Sequence, residues 1–217
     1  LLPTLSLING RGSVEEMRWI LERTLNIATA VIMPLSFALA SAPQTALSIA
    51  YGVSYVEASI PFSILSSLAV VNTYTSIYSV KLQSVGVTKP IFKAGLASTI
   101  VYMMLLAALA VPLKQVGAAL ARASMTIVGF VILHRELKVG TPRSLRRSIV
   151  AASIIAATLA PIELCLKANI YMKALIEALV FTITLTAAYK LVKPLSSEEV
   201  KLIKTVIPLK HSRVRIE

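Results

Sequence analysis

Aspartate is absent from this sequence, and all ten acidic residues are glutamate. Membrane prenyl and phosphoryl transferases hold magnesium on a diphosphate through aspartate-rich motifs, and such motifs cannot be built here. A single cysteine, Cys165, excludes a disulfide framework and a thiolate cluster for zinc or iron–sulfur. His134 and His211 stand alone, with no acid or second histidine at metal-ligand spacing. No P-loop and no GxGxxG turn occurs. These gaps argue against an enzyme and imply neither metal nor cofactor. Charge itself is scarce, at 15% of 217 residues against about 25% in soluble domains.

What fills the chain is hydrophobic. Apolar residues make up 56%, against roughly 45–50% in a soluble domain, and mean hydropathy is +0.78. An all-α integral membrane protein follows. A bilayer span needs about 20 mostly apolar residues. Windows of that order, uncharged except where noted, run over 24–56, 58–80, 94–113, 115–134 (interrupted by Arg122), 148–162 and 174–189 (with Glu177 near its start). The first is long enough for a span plus a turn, and Pro34 and Pro43 predict kinks within it. The fifth is short unless it continues past Pro161. The reading is about six transmembrane helices.

Six alternating spans sort the bases into two sides. One side collects 18 of the 22 Lys and Arg, including both chain ends, the loop with Lys81, Lys89 and Lys93, and the stretch 135–147. The other side has Lys114, Arg122, Lys167 and Lys173. That asymmetry is the positive-inside pattern, which places both termini in the cytoplasm. The net charge of +12 is thus a topology signal first and an attraction to anionic membrane lipids second. Nucleic acid is not an expected partner. At the ends, Ser13 with Glu16 and Ser196 with Glu199 have capping-box spacing, and each opens an amphipathic stretch suited to the membrane surface.

Polar residues inside spans are the candidate site, because they are costly there. Helical spacing puts Gln115, Ala119, Arg122, Thr126 and Gly129 on one face. Arg122 either lines a cavity for an anionic substrate or snorkels to the non-cytoplasmic headgroups. Asn72, Ser76, Ser79 and Gln83 form a stripe that lines a vestibule or hydrogen-bonds between helices. Glu177 follows Lys173 by four residues and Glu163 precedes Lys167 by four; each spacing suits a local ion pair, and Glu177 is also the available coupling acid. Cys165 is read as a packed thiol. Ala38, Ala42, Ala46 and Ala50, every fourth residue, form a close-packing face.

Several short stretches, in order, resemble a known family. They are Leu2-Pro3-Thr4-Leu5-Ser6 followed by Gly12 and Arg23; Pro34 in the next span; Gly52-Val53-Ser54-Tyr55-Val56-Glu57-Ala58 as a G-x-x-Y-x-x-A turn; Leu82-Gln83-Ser84-Val85-Gly86-Val87-Thr88-Lys89 as L-Q-x-x-G-x-T-K; and Val116-Gly117-Ala118-Ala119-Leu120-Ala121 as V-G-A-A-L-A. Over most of residues 1–190 the chain resembles the C-terminal portion of polysaccharide (lipid-linked oligosaccharide) flippases of the multidrug/oligosaccharidyl-lipid/polysaccharide exporter, MATE-like, superfamily.

The resemblance implies two lobes that alternate access to a central cavity in the cytoplasmic membrane. This chain would supply part of the C-terminal lobe, with a partner chain providing the N-terminal lobe. Residues 1–23 are then a cytoplasmic lead-in, 24–134 the four-helix part of the lobe, 135–147 a basic cytoplasmic loop, 148–193 two accessory spans, and 194–217 a basic tail. The implied cargo is an anionic lipid-linked saccharide. A cation-coupled multidrug exporter of the same superfamily and a non-transporting assembly subunit are the competing readings.

Overall fold

The computed structural model describes residues 14–137, 144–166 and 169–192, and their regular structure is helical throughout. In chain order the elements are α1 (Val14–Ser41), α2 (Pro43–Tyr51), a 3-10 turn (Val53–Ala58), α3 (Ser59–Ser67), α4 (Ala69–Ser84), α5 (Lys89–Leu137), α6 (Leu145–Cys165) and α7 (Ile170–Val192). Helices α1, α5, α6 and α7 are long and apolar enough to cross a membrane. The 3-10 turn and α3 join α4 across a 42° bend to make a fifth candidate. The chain is a multi-pass, all-α membrane protein. Both expected capping boxes, at Ser13 and Ser196, lie outside the described residues.

The two prolines of the first window behave differently. Helix α1 runs through Pro34 and ends at Ser41, whereas Ala42 leaves helical geometry (φ −126°, ψ 56°) and Pro43 restarts the chain as the first residue of α2. Proline is suited to that position, where its missing N–H is not needed. The poly-alanine face is consequently interrupted. Ala38 and Ala42 are buried, Ala46 is half-buried and Ala50 is exposed. Past Pro161, α6 continues to Cys165, so the fifth window does lengthen to a full span.

Helix α5 has 49 residues, and a straight rod of that length would reach about 73 Å, more than twice the roughly 30 Å hydrocarbon core. It does not run straight. Lys114 takes φ 47° and ψ −124°, two residues after Pro112. A Cβ added to Gly117 would sit 2.1 Å from the Leu109 carbonyl oxygen, and one on Gly129 would sit 3.9 Å from the Ser98 Cβ. Such contacts require the arms 89–113 and 115–137 to lie side by side, antiparallel, with Gly117 admitting the close approach at the reversal. The arms match the third and fourth uncharged windows.

Helix α1 is the hub. It packs against α3, α4 and α6, while α7 covers α6 and α5 lies on α3 and α4. The main core gathers Leu21, Leu25 and Met33 of α1 with Tyr74, Ile77, Tyr78 and Leu82 of α4 and Leu133 of α5. A smaller cluster joins Ala38 to Ile155 and Leu159, backed by Phe181 and Leu185 of α7. Tyr78, Phe130 and His134 stack, and the Tyr78 hydroxyl meets His134 Nδ1 at 3.2 Å. Helix α4 closes with Val87 N–H on the Leu82 carbonyl and Gly86 N–H on the Gln83 carbonyl, Gly86 taking φ +75°. This is a Schellman stop, and it turns the chain directly into α5.

Candidate functional site

Where α2, α6 and α7 meet, three ionisable side chains are buried together. Glu163 of α6 and Lys173 and Glu177 of α7 are each 6–7% exposed. Their placement follows from unfinished helix ends. Helix α2 begins without a capping side chain, since Ala42 has none to offer, and Pro43 has no N–H. The next two donors, Gln44 N–H and Thr45 N–H, reach Glu163 Oε1 at 2.8 and 3.3 Å. The Thr45 hydroxyl donates to Glu163 Oε2 at 2.9 Å. An acidic side chain at a helix N-terminus is also favoured by the helix dipole.

Helix α6 has the opposite deficit, because its last carbonyls lack partners. The Lys173 ammonium donates to the Glu163 carbonyl oxygen at 2.8 Å and pairs with Glu163 Oε2 at 2.6 Å. Glu163 therefore caps one helix while Lys173 caps another. Charge-assisted bonds of this kind are the stronger class. The Glu177 carboxyl lies against Glu163, Thr45 and Lys173, yet its Oε1 is buried with no hydrogen-bond partner. The cluster holds two carboxyls and one ammonium.

The sequence-derived site residues fall in three places. Glu177 and Lys173 belong to the cluster, but the ammonium forms its ion pair with Glu163, 10 residues upstream, rather than with Glu177. Glu163 has the stronger claim because its carboxylate and its backbone oxygen both point at that nitrogen. The expected partner of Glu163, Lys167, lies outside the described residues. Arg122 and Gln115 are exposed on the second arm of α5 and Thr126 is half-buried, while Ala119 and Gly129 of the same face are buried. The Arg122 guanidinium contacts Met125 on its own helix, so the described chain does not by itself enclose it.

The α4 stripe also faces outward. Asn72, Ser76 and Gln83 are exposed and Ser79 is half-buried. The Ser76 and Ser79 hydroxyls donate to the Asn72 and Thr75 carbonyls of their own helix, so they are not spent on bonds between helices. Cys165, expected as a packed thiol, is exposed, because it is the last residue of α6 and points away from Glu163 two positions earlier. Sequence reasoning missed Thr45 and Gln44. Their signal was Pro43 behind an alanine, a helix start with no cap of its own. Among the described residues no group of three or more His, Cys or Glu side chains is arranged to hold a metal ion. No protein-family model, no curated protein and no solved structure matches this chain.

Proposed function

We propose that this chain is one lobe of a cation-coupled membrane transporter of the flippase and exporter kind its sequence resembles. The observation that carries the reading is the buried Glu163–Lys173–Glu177 cluster. Ionisable groups buried where apolar helices meet are expensive, and in membrane proteins such groups mark ion and proton pathways. A subunit that only anchored other proteins would have no need of a buried carboxyl with one oxygen left unpartnered. Six spans follow if the arms of α5 each cross the membrane and α3–α4 cross as one bent unit. The 18:4 partition of bases then sets both termini on the cytoplasmic side of the cell membrane.

In this reading the exposed Arg122 and Gln115 and the half-buried Thr126, with Asn72, Ser76, Ser79 and Gln83, form half of a cargo wall completed by a partner lobe. A guanidinium there suits the phosphate of an anionic lipid-linked saccharide. The test is made in the cell of origin by following the leaflet distribution of lipid-linked saccharide precursors. Deleting the gene, or replacing Glu177 by Gln at normal membrane abundance, should trap precursor on the cytoplasmic leaflet. An unchanged distribution in the deletion strain would overturn the proposal.

A further inference from the structure

The geometry points to a proton as the coupling ion: one per chain, bound as an O–H on Glu177 beside Glu163. This rests on the cluster being the coupling site. Four donors already converge on Glu163: two backbone N–H groups, the Thr45 hydroxyl and the Lys173 ammonium. The negative charge of the pair is therefore held by Glu163, and Lys173 offsets it. Glu177 adds a second carboxyl to a site whose charges are already balanced, and its Oε1 has no donor at all. A buried unpaired carboxylate is among the costliest groups a protein can hold, so the site needs one further positive charge.

A proton supplies that charge where a metal cation cannot. A sodium or potassium ion needs several free oxygen ligands, but both Glu163 oxygens are occupied by donors and Lys173 fills the cation position. A proton needs one lone pair of Glu177 and no further ligand, and the resulting O–H lies against Glu163. The charged groups facing Glu177 are Glu163 from α6 and Lys173 from its own helix, while α2 contributes the uncharged Thr45. The proton is exchanged with water, and no other reactant takes part.

The test reads protonation directly and requires no transport. Infrared spectra of the purified chain in lipid nanodiscs, taken across a pH series, report the carbonyl stretch of protonated carboxyls. As the pH falls through neutral the band should rise to one carboxyl per chain and be the same in sodium and potassium buffers. It should vanish in Glu177→Gln and persist in Glu57→Gln, whose carboxyl is exposed. Lys173→Met should double it, because losing the ammonium demands a second proton. A band missing from the wild type, retained in Glu177→Gln, or abolished by sodium would overturn the proposal, whatever the cargo assay shows. Should Lys173→Met fail to fold, the Glu177→Gln and sodium comparisons still decide.

Discussion

Glu163 accepts the Gln44 backbone N–H at 2.8 Å across 119 residues of sequence. A carboxylate from the sixth helix thus starts the second. The same residue's backbone oxygen is satisfied by Lys173 at the start of the seventh helix. Three helices are stitched at one point because each end supplies what its neighbour lacks. That economy also fixes the α6–α7 hairpin against the corner where α1 ends, which is where Glu177 becomes enclosed.

Removing Glu163 should cost far more than removing Glu177. Glu163→Ala strands the Lys173 ammonium and two α2 donors, and breaking a buried ion pair from one side typically costs about 3–5 kcal/mol. Glu177→Gln keeps the shape and deletes only a group with an unpartnered oxygen, so its stability should stay within about 1 kcal/mol of wild type. Denaturant titration of the two purified variants in mixed micelles measures the contrast. Equal losses would contradict the placement of Glu163 as the cap.

The reversal of α5 at Lys114 predicts a crosslink. In a Cys165→Ala background, Ser98→Cys with Gly129→Cys should oxidise readily, since the Cβ separation of 3.9 Å falls in the range of about 3.5–4.5 Å that disulfides use. If α5 ran straight, the two positions would lie about 46 Å apart and never meet. Adding Gly117→Val should lower the yield, because the new Cβ meets the Leu109 carbonyl. Mobility on non-reducing gels after oxidation is the readout.

Much of this was legible locally. Hydropathy is a property of short windows, so the long apolar helices, the break at Pro43 and the gap between the third and fourth windows at Lys114 could all be read from the chain. The Schellman stop at Gly86 falls inside the loop that the resemblance had singled out. What escaped was tertiary. Nothing within 20 residues of Thr45 says that its capping acid is Glu163, and i,i+4 spacing favoured Lys167 and Lys173 as local partners of Glu163 and Glu177. The burial of Glu163 depends on α2 turning back over the α6–α7 hairpin, which no periodicity encodes. The exposure of Arg122 was equally hidden, because its helical face mixes buried Ala119 and Gly129 with outward positions.

Topology can be checked with the native thiol. Cys165 is exposed at the end of α6, and the six-span arrangement puts that end opposite the termini. A membrane-impermeant maleimide should label Cys165 on intact cells. Gly140→Cys in a Cys165→Ala background should be labelled only after the membrane is opened, because 135–147 is the basic loop. Labelling of both positions from the same side would exclude the six-span arrangement.

Arg122 decides what the outward face of α5 is for. A centred arginine costs roughly 2.5–3.5 kcal/mol on insertion scales, and less toward the interface. It sits exposed, and among the described residues its guanidinium meets Met125 of its own helix, so the chain retains it either for something outside this chain or at no benefit. If the face binds an anionic headgroup in the assembled transporter, Arg122→Ala should abolish precursor flipping at unchanged abundance. Arg122→Lys should keep part of the activity, since a point charge preserves attraction and loses the bidentate fork. Snorkelling to the headgroups forecasts the reverse: Ala would leave flipping intact and insert slightly better. Leaflet assays paired with membrane quantification of both variants separate the two, and normal flipping by Arg122→Ala would remove this residue from the cargo wall.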